Sequence, residues 1–205
     1  AFASLTDKEQ DEAEIVLNSF AQYASIPVIN MESATGHPLQ ALADAVTLSE
    51  YPTPHKPKVV LTWAPHPKAL PHAVGNSFAQ MMQAQDADFV ITNPEGYDLD
   101  PRITKNIPVL HNQEEALKNA DFVYAKNWCS YENYGSIVRT DNAWMLTTEK
   151  MELTNNAKFM HCLPVRRNIV VADGVLDHPN SLVIEQANNR TFAAQAVLKT
   201  LLDHV

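Results

Sequence analysis

Apolar positions recur along this chain at two periods, and the switches between them predict most of its elements. Thr6-Asp7-Lys8-Glu9 has capping-box form, and Ile15, Val16, Phe20 and Ala21 follow at helical spacing, which predicts a helix over residues 7–23. The apolar run Ile26 to Met31 reads as a short strand. His37 heads a second helix, with Pro38 in the first turn, where its missing N–H costs nothing, and Leu39, Leu42, Ala43, Val46 and Leu48 on the inner face. Beyond it, strands are predicted at residues 58–63, 88–92, 122–125, 158–161 and 182–184, and helices at 69–83, 114–120 and 187–203. Most of the strands are continuously apolar, and they alternate with helices. That pattern predicts an α/β fold: a three-layer parallel sheet with helices on both faces.

Composition narrows the function. The 205 residues are 45% hydrophobic and carry 15 Lys+Arg against 24 Asp+Glu, a net charge of −9. Such a chain is a poor partner for nucleic acid or an anionic membrane, which are bound through clustered Lys and Arg. No run approaches the roughly 20 apolar residues that cross a bilayer, and the N-terminus lacks a basic and an apolar signal region. Cys129 and Cys162 are too few for a disulfide framework or a four-thiolate metal site, so a reduced, cytoplasmic protein is expected. The abrupt start at Ala1 suggests numbering that begins inside a longer chain. None of the five glycines lies within two residues of another, which opposes a dinucleotide-binding turn or a phosphate-cradling loop. An anionic ligand must then be held by side chains or isolated helix ends.

Ligands of open parallel sheets bind outside the carboxyl ends of the strands. The predicted ends lead into Met31-Glu32-Ser33-Ala34-Thr35-Gly36-His37, Ala64-Pro65-His66-Pro67-Lys68, Asn93-Pro94-Glu95-Gly96, Lys126-Asn127-Trp128, Cys162-Leu163-Pro164-Val165-Arg166-Arg167 and Asn188-Asn189-Arg190. Imidazoles and cations gather there although the chain is acidic overall, which points to a pocket for an anionic small molecule.

Two of these segments, His37-Pro38-Leu39-Gln40 and His161-Cys162-Leu163-Pro164, in that order and with Arg190 on the terminal helix, resemble the aspartate/ornithine carbamoyltransferase superfamily. Trp63 to Pro67, Asn93 to Tyr97, Tyr124 to Trp128 and His161 to Asn168 look like its branch acting on N-acylated ornithine, the N-succinylornithine enzymes above all. The resemblance covers essentially the whole chain. It implies that residues 1–30 lead in from a carbamoyl-phosphate domain whose Ser-x-x-Thr-Arg loop is absent here. It further implies that residues 31–186 bind the amino substrate and that residues 187–205 form a helix packing back on the absent domain.

The implied chemistry is attack of a side-chain amine on carbamoyl phosphate, without cofactor or metal. The resemblance assigns the carbamoyl phosphate to His37, Pro38, Leu39, Gln40, Cys162, Leu163 and Arg190. Of these, His37 would donate to the carbonyl oxygen, while Gln40 and the backbone of Cys162 and Leu163 would accept from the NH2 group. Glu32, His66, Lys126 and Arg166 would bind the N-acylated ornithine. Lys126 stands where plain ornithine enzymes carry an Asp for the substrate's α-ammonium, and it suits a ligand that has lost that cation. Val170 replaces a modifiable Lys of acetylornithine-specific relatives, favouring succinyl over acetyl. The family's active sites lie between subunits of a homotrimer. The 205 residues alone are expected to be inactive, and a ligand-binding, non-catalytic product is the competing reading.

Overall fold

The computed structural model describes residues 3–203. Five strands, Lys58–Trp63 (β1), Asp88–Thr92 (β2), Val109–Leu110 (β3), Phe122–Lys126 (β4) and Lys158–Met160 (β5), form one parallel sheet in the order β3-β2-β1-β4-β5. The helices are Lys8–Glu12 (α1), Ile15–Tyr23 (α2), Pro38–Glu50 (α3), Ala73–Met82 (α4), Pro101–Thr104 (α5), Gln113–Leu117 (α6), Thr148–Met151 (α7), Asp173–Leu176 (α8) and Val183–Leu202 (α9).

The continuous apolar strands are explained by burial on both faces. Successive side chains point to opposite faces. Val59, Leu61 and Trp63 of β1 join Phe122 and Tyr124 of β4 in a core with Val74, Phe78 and Met82 of α4. Val60 and Ala64 join Val123 and Ala125 in a second core with Ala116 and Leu117 of α6 and Val175 and Leu176 of α8. The architecture is the three-layer α/β sandwich that the pattern predicts. The chain runs from β1 to β2 and β3 on one side, then crosses to β4 and β5 on the other. The order therefore reverses between β1 and β4, where open α/β sheets bind ligands.

Several predicted elements differ in the structure. The helix over 7–23 is two helices, because Glu14 adopts a left-handed φ of 51° and spends its carboxylate on the 33–36 turn. Asp7, not Thr6, is the cap of α1, accepting from the Gln10 backbone N–H. Residues 26–31 form no strand; Ile26 and Met31 are exposed and find no sheet edge. The helix predicted over 69–83 begins at Ala73, beyond Pro71. The predicted strand over 182–184 is the start of α9. Only Ser181 bridges to Phe159, and Ile184 faces outward from the first helical turn. Strand β3 and helices α5, α7 and α8 are two to four residues long, too short to show a period. Among the described residues, no helix is long and apolar enough to cross a membrane.

Candidate active site

The ends of β1 and β4 are fastened to each other. Trp63 and Lys126 are register partners, the Ala64 N–H donates to the Lys126 carbonyl (3.0 Å), and the Asn127 amide donates to the Ala64 carbonyl (2.7 Å). The Trp63 indole donates to the Trp128 carbonyl (2.8 Å), and the Trp128 indole to that of Tyr97 (2.6 Å). These bonds fix where Lys126 stands. By strand alternation it shares the face of Phe122 and Tyr124, the face covered by α3 and α4. His66 follows β1 in a turn that lays its Nδ1 against the backbone N–H of Lys68 (3.1 Å).

The head of α3 is held from two sides. Ser77 of α4 accepts the His37 backbone N–H (2.7 Å), and Asn76 donates to the Thr35 carbonyl (3.1 Å). From the other side, Glu14 accepts from Thr35 N–H (2.8 Å) and from the Ser33 hydroxyl (2.7 Å). The His37 ring is buried; its Nδ1 has no partner, and its Nε2 lies 4.0 Å from the Glu32 carboxylate. Burial, then the positive charges of Arg190 and Lys126, push His37 down to about 4, so the ring is uncharged at neutral pH. Pro38 occupies the first turn and Leu39 packs inward.

At the end of β5, the His161 backbone N–H donates to Gln186 Oε1 (2.9 Å) and the Leu163 N–H to His161 Nδ1 (2.9 Å). His161 is pushed down to about 3 by burial, then by Lys126 and His66. It is neutral, and accepting at Nδ1 leaves its proton on Nε2. Leu163 has a positive φ of 52° and precedes a cis Pro164. Cys162 is half-buried and packs against the core that contains Tyr124. Arg166 projects from the following turn, exposed. His66 is lowered by burial, partly offset by its bond to the Lys68 backbone, and lowered further by Lys126, Arg166 and Lys68.

Lys126 is thus felt by three imidazoles that three different segments deliver: His37, His66 and His161. Arg190 reaches the same place from α9, donating to Gln40 Oε1 (2.8 Å). Arg167, beside Arg166 in sequence, turns away and pairs with Asp173 and Asp177. A cavity of about 430 Å³ beside β5, lined by Met151, Phe159, Val175 and His178, shares no residue with this cluster. Among the described residues, no three His, Cys, Asp or Glu side chains converge as a metal set.

Sequence reasoning missed three supporting residues. Asp44, buried and unremarked, lies at i+4 from Gln40 and accepts from it (2.7 Å). Gln186 fell in the gap between the strand predicted over 182–184 and the helix predicted over 187–203, and Glu14 inside a predicted helix. The available signal was polar residues on a core-facing stripe: Gln40, Asp44 and Thr47 are all buried on α3 at helical spacing.

Known proteins resemble this chain along most of its length. The family profile "Aspartate/ornithine carbamoyltransferase, Asp/Orn binding domain" matches residues 71–201, and the "carbamoyl-P binding domain" profile of the same family matches residues 7–50. The chain is 51% identical to N-succinylornithine carbamoyltransferase of Bacteroides fragilis, over 100% of this chain and 65% of that protein. It is 52% identical to the protein of that name from Bacteroides thetaiotaomicron, over 99% of this chain and 64% of the relative. The chain thus spans about two thirds of the length of these relatives. Among solved structures, a point variant of N-acetyl-L-ornithine transcarbamylase complexed with carbamyl phosphate and N-succinyl-L-norvaline superposes with a TM-score of 0.89 at 36% identity. That match covers 98% of this chain and 67% of the other.

Proposed function

The chain belongs to the aspartate/ornithine carbamoyltransferase family, and from that premise we propose that the whole protein carbamoylates N-succinyl-L-ornithine. The side-chain amine takes the carbamoyl group of carbamoyl phosphate, giving N-succinyl-L-citrulline and phosphate, a step of arginine biosynthesis. The observation that carries the reading is the convergence of His37, His66 and His161 on Lys126 at the sheet's switch point, with Arg190 entering from α9.

An alkyl amine has a pKa near 10.4, so about one molecule in a few thousand is neutral at pH 7. The site must select that neutral amine, align it, and stabilise the oxygen that gains charge as the C–N bond forms. In this reading neutral His37 donates one ring N–H to that oxygen, and its unpartnered Nδ1 supports the presence of a ligand beside it. Gln40 Oε1 and the carbonyls of Cys162 and Leu163 accept from the carbamoyl NH2 group, and Arg190 holds the phosphate end. Lys126, His66 and Arg166 face the carboxylates and amide oxygens of the acylated substrate, with Glu32 on a donor group.

Succinyl is preferred over acetyl in this reading. Val170, at the position of the modifiable Lys, is 2% exposed and packed in the second core, with no room to act on substrate. The residue division proposed is a lead-in over 1–30, a substrate-binding body over 31–186 and a returning helix over 187–205. Exposed apolar side chains on α2 (Phe20, Tyr23) and α9 (Ile184, Leu202) support further protein packing there. The working unit is proposed to be a cytoplasmic homotrimer with active sites between subunits. Rates of ureido-product formation by the full-length protein with N-succinylornithine, N-acetylornithine and ornithine test the reading. The expected order is succinyl, then acetyl, then free ornithine; a preference for ornithine, or no transfer to any of the three, refutes it.

A further inference from the structure

We infer that Asp44 is a positioning residue that aims two glutamine amides at once, so that the acceptors offered to the carbamoyl NH2 group depend on one buried carboxylate oxygen. The inference rests on reading the site as a carbamoyl-phosphate pocket. Asp44 Oδ1 accepts from Gln40 Nε2 and from Gln186 Nε2, each at 2.7 Å. All three side chains are buried, although Asp44 and Gln186 are 142 positions apart.

A glutamine amide has nearly the same shape turned either way, and only its partners decide which end faces where. Asp44 Oδ1, taking two N–H bonds, is an acceptor in either charge state of the carboxyl, because any proton the group holds then sits on Oδ2. Each amide must therefore turn its NH2 to Asp44 and its oxygen away. The Gln40 oxygen then faces Arg190 and the pocket, with one lone pair left for a ligand donor. The Gln186 oxygen receives the His161 N–H, which begins the turn that the Leu163 N–H closes on the His161 ring. Beside this pair of bonds, Asp44 Oδ2 and the Tyr124 hydroxyl are both buried without a hydrogen-bond partner. Asp44 thus stands behind both the side-chain acceptor and the backbone acceptors of the site. Without it, two buried NH2 groups lose their acceptor and the amides are free to turn. A turned Gln40 would set donor against donor, at Arg190 and at the substrate.

Carbamoyl phosphate and acetyl phosphate differ in bearing NH2 or CH3, so a change in their relative affinity for the full-length enzyme, between wild type and a variant that leaves the donors to the carbonyl oxygen in place, reads these acceptors. Wild type is expected to prefer carbamoyl phosphate. Asp44→Leu should lower that preference by about tenfold or more while acetyl phosphate affinity stays within about threefold. Asp44→Asn, whose amide oxygen can still accept from both glutamines, should keep the preference within about threefold. Should Asp44→Leu fail to fold, Gln186→Met carries the test: it keeps the shape, breaks one arm, and should lower the preference by roughly threefold to tenfold. Equal weakening of both phosphates in folded Asp44→Leu or Gln186→Met, or an unchanged preference in either, overturns the inference. So does loss of the preference in Asp44→Asn. Failure of the functional reading looks different, because the wild type itself would then transfer no carbamoyl group.

Discussion

Arg190 and Gln40 are 150 positions apart and meet in one hydrogen bond of 2.8 Å, the guanidinium of α9 donating to the amide oxygen at the head of α3. The two helices cross over buried polar side chains, since Asn189 also donates to Thr47 (3.0 Å) and Gln186 to Asp44. Losing Arg190 alone therefore leaves the crossing held. Arg190→Met should raise the KM for carbamoyl phosphate by about tenfold to a hundredfold through loss of charge-assisted bonds to phosphate. The thermal midpoint should change little. Initial rates with carbamoyl phosphate varied, beside a melting curve, check both halves.

Lys126→Asp replaces an attractive pair with repulsion towards an anionic substrate. The specificity constant for N-succinylornithine should fall by about tenfold or more. The same change removes the cation that depresses His37, His66 and His161, so the NMR titration midpoint of His66 should move upward. An unaltered specificity constant would remove Lys126 from the substrate site.

Stability against pH has a definite sign. Burial holds His37 and His72 at about 4 and His161 at about 3, so folding expels protons from three imidazoles below their ordinary value near 6.5. Their stabilisation is complete above that value and is lost as pH falls through the folded values. Asp44 runs the other way: burial raises it to about 7, so its contribution is full at acid pH and fades as pH rises towards 7. Three groups outweigh one, and stability should climb from about pH 4 to 6.5 and then level off. His72→Phe should flatten that climb by on the order of 2 kcal/mol, while Asp44→Asn should gain on wild type between pH 5 and 8. Urea unfolding across this range measures both.

Gly135 has a φ of 71°, and a Cβ there would lie 1.8 Å from the Leu5 carbonyl oxygen. The close approach lets the segment around α1 lie on the 130–136 loop, where Tyr134 donates to Asp11 (2.8 Å) and Lys8 to the Tyr131 carbonyl (3.2 Å). Gly135→Ala should cost about 2 kcal/mol or detach that segment. Denaturant midpoints and the rate of proteolysis ahead of α2 distinguish the two outcomes.

Much of this was legible in the residues themselves. Runs such as Val59-Val60-Leu61 and Phe122-Val123-Tyr124 are apolar at every position because both sheet faces are covered, and a one-dimensional pattern suffices to report that. The His-Pro-Leu-Gln and His-Cys-Leu-Pro segments, in that order, carry the family resemblance, while the lack of paired glycines and the cations at strand ends point to side chains as the holders of an anionic ligand. What the linear pattern could not report was partnership across distance. Leu182-Val183-Ile184 is apolar enough for a strand, yet α9 begins there, because a helical first turn lets Gln186 reach Asp44 and the His161 N–H. Glu14 looks like one more exposed helical acid, yet it breaks the helix to hold the turn before His37. Hydrophobic burial is a property of each residue and its neighbours along the chain, so sequence carries it. A buried hydrogen bond belongs to two residues that only the folded chain brings within about 3 Å, so which buried polar groups become partners was decided by the tertiary structure.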